Sequence, residues 1–246
     1  MANEPIALLS FLFLGALAVT CAWLGRYALA SAAVSFVLLS NLTIQIDVDV
    51  FNLESVIGSG ISWAIIIYSA TYIVLTTLAE KYSFWDPYRV AALCLFAQVV
   101  LWLYLWLFIP TDVDAAMFEG VYSNLTSLFA TSELVTIAAI AGSVGWFAAI
   151  ATHQWLKQLS GGKGGWRIGF RVLVATVFGQ ILNTAIFFAI ARPDSADLLA
   201  LVYSTIAVKW LLAVVSVPLV YFAIMATPAA ATVRSAGPDV EPPAAA

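Results

Sequence analysis

The chain has 246 residues, of which 63% are hydrophobic and only 10% charged, against the roughly 25% charged fraction of a soluble domain. Its formal net charge of -4 argues against nucleic acid, whose binding wants a basic face. With one histidine and two cysteines, Cys21 and Cys94, both inside apolar segments, neither a His-rich metal or haem site nor a disulfide framework is expected. A soluble core of this length could not bury so many apolar groups, whereas a bilayer accommodates them.

A transmembrane helix needs about 20 mostly apolar residues, and seven stretches qualify. They run from Ile6 to Leu24, Tyr27 to Ile46, Val56 to Leu78, Arg89 to Ile109, Leu134 to Leu156, Val172 to Ala191 and Leu198 to Ala226. The expected fold is an all-α membrane protein of about seven transmembrane helices. The first stretch carries Glu4 where a secretory signal has a positive charge, and Thr20 precedes Cys21 where a lipoprotein site has a small residue. It reads as a retained helix. The tail after Pro228 is rich in Ala and Pro and is expected to be flexible.

Lys and Arg set the orientation. One set of connections holds Arg26, Lys81, Arg89, Lys157, Lys163, Arg167 and Arg171, with Arg234 in the tail; the other set holds only Arg192. That second set is acidic, with Asp47, Asp49, Glu54, Asp112, Asp114, Glu119, Asp194 and Asp197. The alternation fits seven spans with the N-terminus outside and the C-terminus cytoplasmic. It makes the stretch from Lys157 to Arg171 a cytoplasmic loop. The nine Trp fall mostly near segment ends, as interfacial anchors do.

Polar groups inside a span are costly and face protein or a cavity. Lys209 lies near mid-membrane in the last span, too far from either interface for easy snorkelling, and no carboxylate is expected at its depth. A carbonyl, an amide, water or a ligand is its expected partner. Gln180 and Asn183, three apart in the sixth span, share one helix face. Two amides there either bond a neighbouring helix or read a planar polar ligand, and Asn41 in the second span stands in the same position. His153, near the cytoplasmic end of the fifth span, reads as an interfacial residue rather than a proton relay. No intramembrane Ser–His pair, His/Glu metal motif or phosphate-cradling loop is present, so no catalytic or metal-binding residues are assigned, and no enzyme activity or cofactor is expected. The run from Ser160 to Gly165 lacks the spacing of a P-loop.

The stretch Trp166-Arg-Ile-Gly-Phe-Arg171, followed by Ala175-Thr-Val-Phe-Gly-Gln-Ile-Leu-Asn-Thr-Ala-Ile-Phe-Phe188, resembles the signature of the queuosine-precursor transporter family, also called VUT for vitamin uptake transporter. Arg171, Gln180, Thr184 and Phe187 match its pattern in register. Leu38-Leu-Ser-Asn41, Glu80-Lys-Tyr82, and Lys209 with Pro218 and Tyr221 resemble further parts of the family in order. The resemblance covers roughly Ala30 to Ala226. It implies a six-helix core over residues 27–228, with residues 1–26 as an extra N-terminal transmembrane helix and 229–246 as a cytoplasmic tail. The chain departs from the family where Asn183 replaces an Asp, where Leu75 and Thr76 replace Thr-Asp, and between Trp146 and His153, where a Gln-x-x-Asp is missing. An Asn donates and accepts hydrogen bonds but does not titrate.

The resemblance implies an importer of a 7-deazaguanine queuosine precursor or similar small heterocycle in a prokaryotic cytoplasmic membrane. Gln180 and Asn183 would bond the edge of the heterocycle, Asn41 would lend a further amide, and aromatic side chains would stack on its face. Lys209 would meet a carbonyl oxygen of the ligand or hold the helices around it. The other reading is a non-transporting accessory subunit that keeps the transporter fold and packs against other membrane subunits; the missing carboxylates and the added first helix favour it. The lipid bilayer is a partner under both readings, and nucleic acid under neither.

Overall fold

In hydrocarbon each backbone N–H and C=O must be satisfied within its own segment, so long apolar runs become helices. The computed structural model describes residues 3–43, 47–48, 61–108, 119–160, 165–191 and 198–227. These form seven helices: α1 (Asn3–Leu24), α2 (Arg26–Leu42), α3 (Trp63–Lys81), α4 (Asp86–Phe108), α5 (Glu119–Ser160), α6 (Gly165–Ala191) and α7 (Leu198–Ala226). Two short strands, β1 (Asp47–Val48) and β2 (Ile61–Ser62), pair antiparallel ahead of α3. The chain is thus an all-α membrane protein. Six of the helices are long and apolar enough to cross a bilayer. The 17 residues of α2 rise only about 26 Å at 1.5 Å per residue.

Each helix packs on the next, and α3 lies at the centre, against α1, α2, α4, α5, α6 and α7. Of its membrane-spanning window 78% is buried, against 28% for α4 and 33% for α1, α6 and α7. The link from α1 to α2 is Gly25 alone, at φ 106°, a conformation that a side chain would oppose. The α3–α4 turn is closed by Asp86, whose Oδ2 accepts from the Ser83 N–H at 3.1 Å.

Several boundaries differ from the hydropathy reading. The fifth helix begins at Glu119 rather than near Leu134, and the sixth at Gly165 rather than Val172. The expected loop from Lys157 to Arg171 is therefore mostly helix, with only residues 161–164 outside the described set. The reason is that a helix continues past its apolar run where its polar side chains find partners, and Lys157, Arg167 and Arg171 all do. The third helix begins at Trp63, capped by the Ser62 hydroxyl, which accepts from the Ala64 N–H. The loop carboxylates Asp49, Glu54, Asp112, Asp114, Asp194 and Asp197 and the tail from residue 228 lie outside the described residues.

One end of the bundle gathers the C-termini of α1, α3 and α5 and the N-termini of α2, α4 and α6. It carries Arg26, Lys81, Arg89, Lys157 and Arg167. Trp23, Trp85, Trp155 and Trp166 are exposed there, as aromatic anchors at a membrane interface are.

Candidate functional site

Two polar groups interrupt the apolar interior. The first lies where α3, α5 and α6 meet, and it depends on glycine. The Tyr68 hydroxyl lies over Gly142, where it would overlap an added Cβ. A Cβ on Gly145 would stand 2.7 Å from the Gly179 carbonyl oxygen, 2.8 Å from Asn183 Cβ and 2.8 Å from the Tyr72 hydroxyl. Small residues at such a crossing let helix backbones approach closely, here with room for two phenols from α3. Tyr68 stacks on Trp146 at 5.1 Å between ring centroids and 16° between planes, and meets Tyr72 edge-on at 6.1 Å.

The two amides expected to face inward do so: Gln180 is 1% exposed and Asn183 7%. Asn183 lies beside both phenol hydroxyls and interacts with each, without reaching hydrogen-bond geometry. Gln180 is more isolated, since neither its Oε1 nor its Nε2 has a partner among the described residues. The same holds for the hydroxyls of Tyr68, Thr71, Tyr72 and Thr176 and for Trp146 Nε1. Leaving a buried polar atom unpaired costs about 1–3 kcal/mol, and native interiors hold few such atoms. These atoms lie on the three facing helices α3, α5 and α6.

Lys209 of α7 is 4% exposed. Its Nζ donates to Thr184 Oγ1 at 2.8 Å, so its partner is a hydroxyl rather than the carbonyl, amide, water or ligand expected. Thr184 lies one turn beyond Gln180 and next to Asn183, so α6 brings Gln180, Asn183 and Lys209 into one neighbourhood. Asn41 is placed elsewhere. Its Nδ2 donates to Gln98 Oε1 of α4 at 3.3 Å, and α2 packs against α1, α3 and α4. The site offers amide donors and acceptors, phenol hydroxyls, one indole N–H and one amine beside a stacked aromatic pair. The carboxylates described on α3 and α4, Glu80 and Asp86, lie at the basic end instead.

The second group closes that basic end. Glu80 of α3 accepts from Arg171 Nη2 of α6 at 2.7 Å and from His153 Nε2 of α5 at 3.0 Å. Arg171 and His153 are 1% and 0% exposed, and the Glu80 side chain 8%. Lys157 donates to the carbonyl oxygens of Ala79 and Glu80, both at 2.8 Å, supplying a cation to the negative end of α3. Arg171 Nη1 donates to Ser160 Oγ at 2.7 Å, and Arg167 Nη1 to the Ser160 carbonyl at 2.9 Å. The interfacial role expected for His153 is therefore corrected: the ring is fully enclosed because Glu80, 73 residues away, gives it a partner inside the bundle.

Sequence reasoning did not assign Tyr68, Tyr72 and Trp146 to the site, because aromatics in an apolar span read as core. A usable signal was present. Two phenols one turn apart in hydrocarbon need partners, and Gly142 and Gly145 leave space for them.

An open, apolar groove of about 360 Å³ lies between Gly165 and Gly169 of α6 and Pro218 and Tyr221 of α7.

No curated protein and no solved structure matches the chain. A family model described as "Putative vitamin uptake transporter" matches residues 62–223, which takes in α3 to α7 and both polar groups, while α1, α2 and Asn41 precede it. With more than half of its length matched and its helices suited to a bilayer, the chain belongs to this family of multi-pass membrane transporters.

Proposed function

We propose that this transporter imports a planar, hydrogen-bonding heterocycle of the 7-deazaguanine queuosine-precursor type across a prokaryotic cytoplasmic membrane. The observation that carries the reading is Gln180: a primary amide, 1% exposed, with neither polar atom paired among the described residues. An amide in that state is matched by a ligand edge that presents one donor and one acceptor side by side, as fused nitrogen heterocycles do. Asn183 extends the edge contact. The stacked Tyr68 and Trp146 offer an aromatic wall for the ring face. Lys209 donates to a carbonyl oxygen of the ligand, with Thr184 holding the amine in place. Asn41 joins such a site only by giving up Gln98. The basic end of the bundle supports an outside N-terminus and a cytoplasmic C-terminus.

The test is uptake in cells unable to make the precursor, read as queuosine in tRNA. Wild-type protein should restore the modification, and Asn183→Leu should abolish it while still inserting. A site built to hydrogen-bond its ligand loses affinity when an amide is removed, because the matching ligand group stays unpaired. Leucine is close to isosteric and suits hydrocarbon. Wild-type protein that inserts yet never restores the modification would refute this substrate. Co-purification with a fixed set of other membrane subunits would then support the accessory-subunit reading.

A further inference from the structure

The basic-end group holds more than a structural ion pair needs. Two side chains from different helices share one carboxylate, and one of them is an imidazole. A carboxylate only accepts, so His153 Nε2 carries the hydrogen in its contact with Glu80 Oε2. In the neutral ring Nδ1 is then the nitrogen with the free lone pair. That atom is buried and has no hydrogen-bond partner among the described residues. Glu80, with its side chain 8% exposed against 0% for His153, is the more exposed member of the pair. We propose that His153 and Glu80 form the proton-binding site of this protein, in which a proton taken up on His153 Nδ1 releases Arg171 from Glu80 and parts α6 from α3 at the basic end.

The step follows from the charges in place. With His153 neutral, one carboxylate answers Arg171 directly, and Lys157 is held on the α3 carbonyls. Protonation puts a third cation into the same enclosed space with no added anion. Like charges that share a partner in a low-dielectric site repel strongly. The imidazolium keeps Glu80 Oε2, and Arg171 is the cation that leaves, since Ser160 already holds its other amino group. Among the described residues, the charged and titratable groups of the neighbouring elements are engaged elsewhere or lie outside the pair. On α4, Asp86 pairs with Arg89 at 3.8 Å. On α6, Arg167 is bound to the Ser160 carbonyl. On α2, Arg26 donates to Tyr27. On α7, Tyr221 lies beside Gly165. On α3, Lys81 and Tyr82 follow Glu80. The salt bridge ties α6 to α3 at that end, so its loss loosens α6 there while His153 and Lys157 hold α5 on α3. The proton thereby couples to the passage of substrate; only this last link rests on the transport reading, and the protonation step stands without it.

The experiment uses the full chain in lipid nanodiscs, with Cys21 and Cys94 replaced by Ala and spin labels at Lys81→Cys and Trp166→Cys. Distances between the labels are read by pulsed electron paramagnetic resonance from about pH 8 to about pH 4.5, a range that brackets the ordinary histidine pKa near 6.5 and runs about two units below it. A longer-distance population should appear on acidification and follow a single-proton titration. His153→Gln can still donate to Glu80 but cannot take the proton, so it should hold the short distance throughout. Glu80→Gln removes the shared anion and should show the long distance at both ends of the range. No change with pH in the protein carrying His153, or a change that survives His153→Gln, overturns the proposal. If the glutamine variant fails to insert, the pH series of the His153 protein decides alone. Uptake of a labelled 7-deazaguanine precursor by proteoliposomes under an imposed pH gradient separates the two ideas. Acid-driven opening without any uptake keeps the proton site and removes the substrate assignment.

Discussion

Replacing Gln180 by Met should make the ligand-free protein more stable and the transporter inactive. The side chain is 1% exposed, and neither amide atom finds a partner among the described residues. Methionine has nearly the same length and volume, so the substitution removes two unpaired polar atoms without opening a cavity. An unpaired buried group costs about 1–3 kcal/mol. Interhelical hydrogen bonds in membranes average nearer 0.6 kcal/mol, which places the gain in the lower part of that range, at about 1–2 kcal/mol. At roughly 2–4 °C per kcal/mol for a chain of this size, Tm should rise by about 2–8 °C. The assay is thermal unfolding of purified protein in one detergent, followed by tryptophan fluorescence without ligand, beside tRNA queuosine as the measure of uptake. A fall in Tm would show that Gln180 already bonds a neighbouring helix and would refute the argument that its amide waits for a ligand. A rise in Tm with uptake intact would detach the amide from the transport path.

Three further outcomes test other parts of the molecule. Gly145→Ala forces a Cβ to within 2.7 Å of the Gly179 carbonyl oxygen and 2.8 Å of Asn183 Cβ, neither of which can swing aside. It should cost about 1–3 kcal/mol, measured as a lowered Tm, while the same change at exposed Gly165 should cost far less. Arg171→Met leaves the Glu80 carboxylate with His153 alone and should cost about 3 kcal/mol. Adding Glu80→Gln should recover part of that loss in a double-mutant cycle, and strictly additive losses would argue against the ion pair. Finally, a single cysteine at Lys163 in a Cys-free background should resist an impermeant reagent added outside intact cells, and labelling there would reverse the assigned orientation.

The seven helices are legible in the sequence because hydrophobic length is a local property. What it misses is decided by partners far along the chain. Residues 119–133 contain Glu119, Asn124 and Glu133, so hydropathy ends the fifth span at Leu134, yet the helix runs on. Lys157 and Arg171 count as loop charges until Glu80 and its carbonyl neighbours are brought against them, 77 and 91 residues distant. The inward face of Gln180 and Asn183 is readable from their spacing and from the cost of an amide in lipid. The attachment of Asn41 to Gln98 is not, since both are single amides in separate apolar spans, with nothing in either span to name the other. Tyr68 and Tyr72 were visible as phenols, but their setting against Gly142 and Gly145 depends on how α3 meets α5.

The 42 residues of α5 make a rod of about 63 Å at 1.5 Å per residue, twice the roughly 30 Å of a bilayer's hydrocarbon. Its tightest crossing, at Gly145, does not divide it evenly. About 22 Å of helix runs from there to Ser160 at the basic end, and about 39 Å runs to Glu119 at the other. A straight rod pivoting on that crossing behaves as a see-saw with unequal arms. A shift of Ser160 is returned at Glu119 in the opposite direction and nearly doubled. A small displacement of α5 at the basic end would therefore be read out as a larger stroke at its far end.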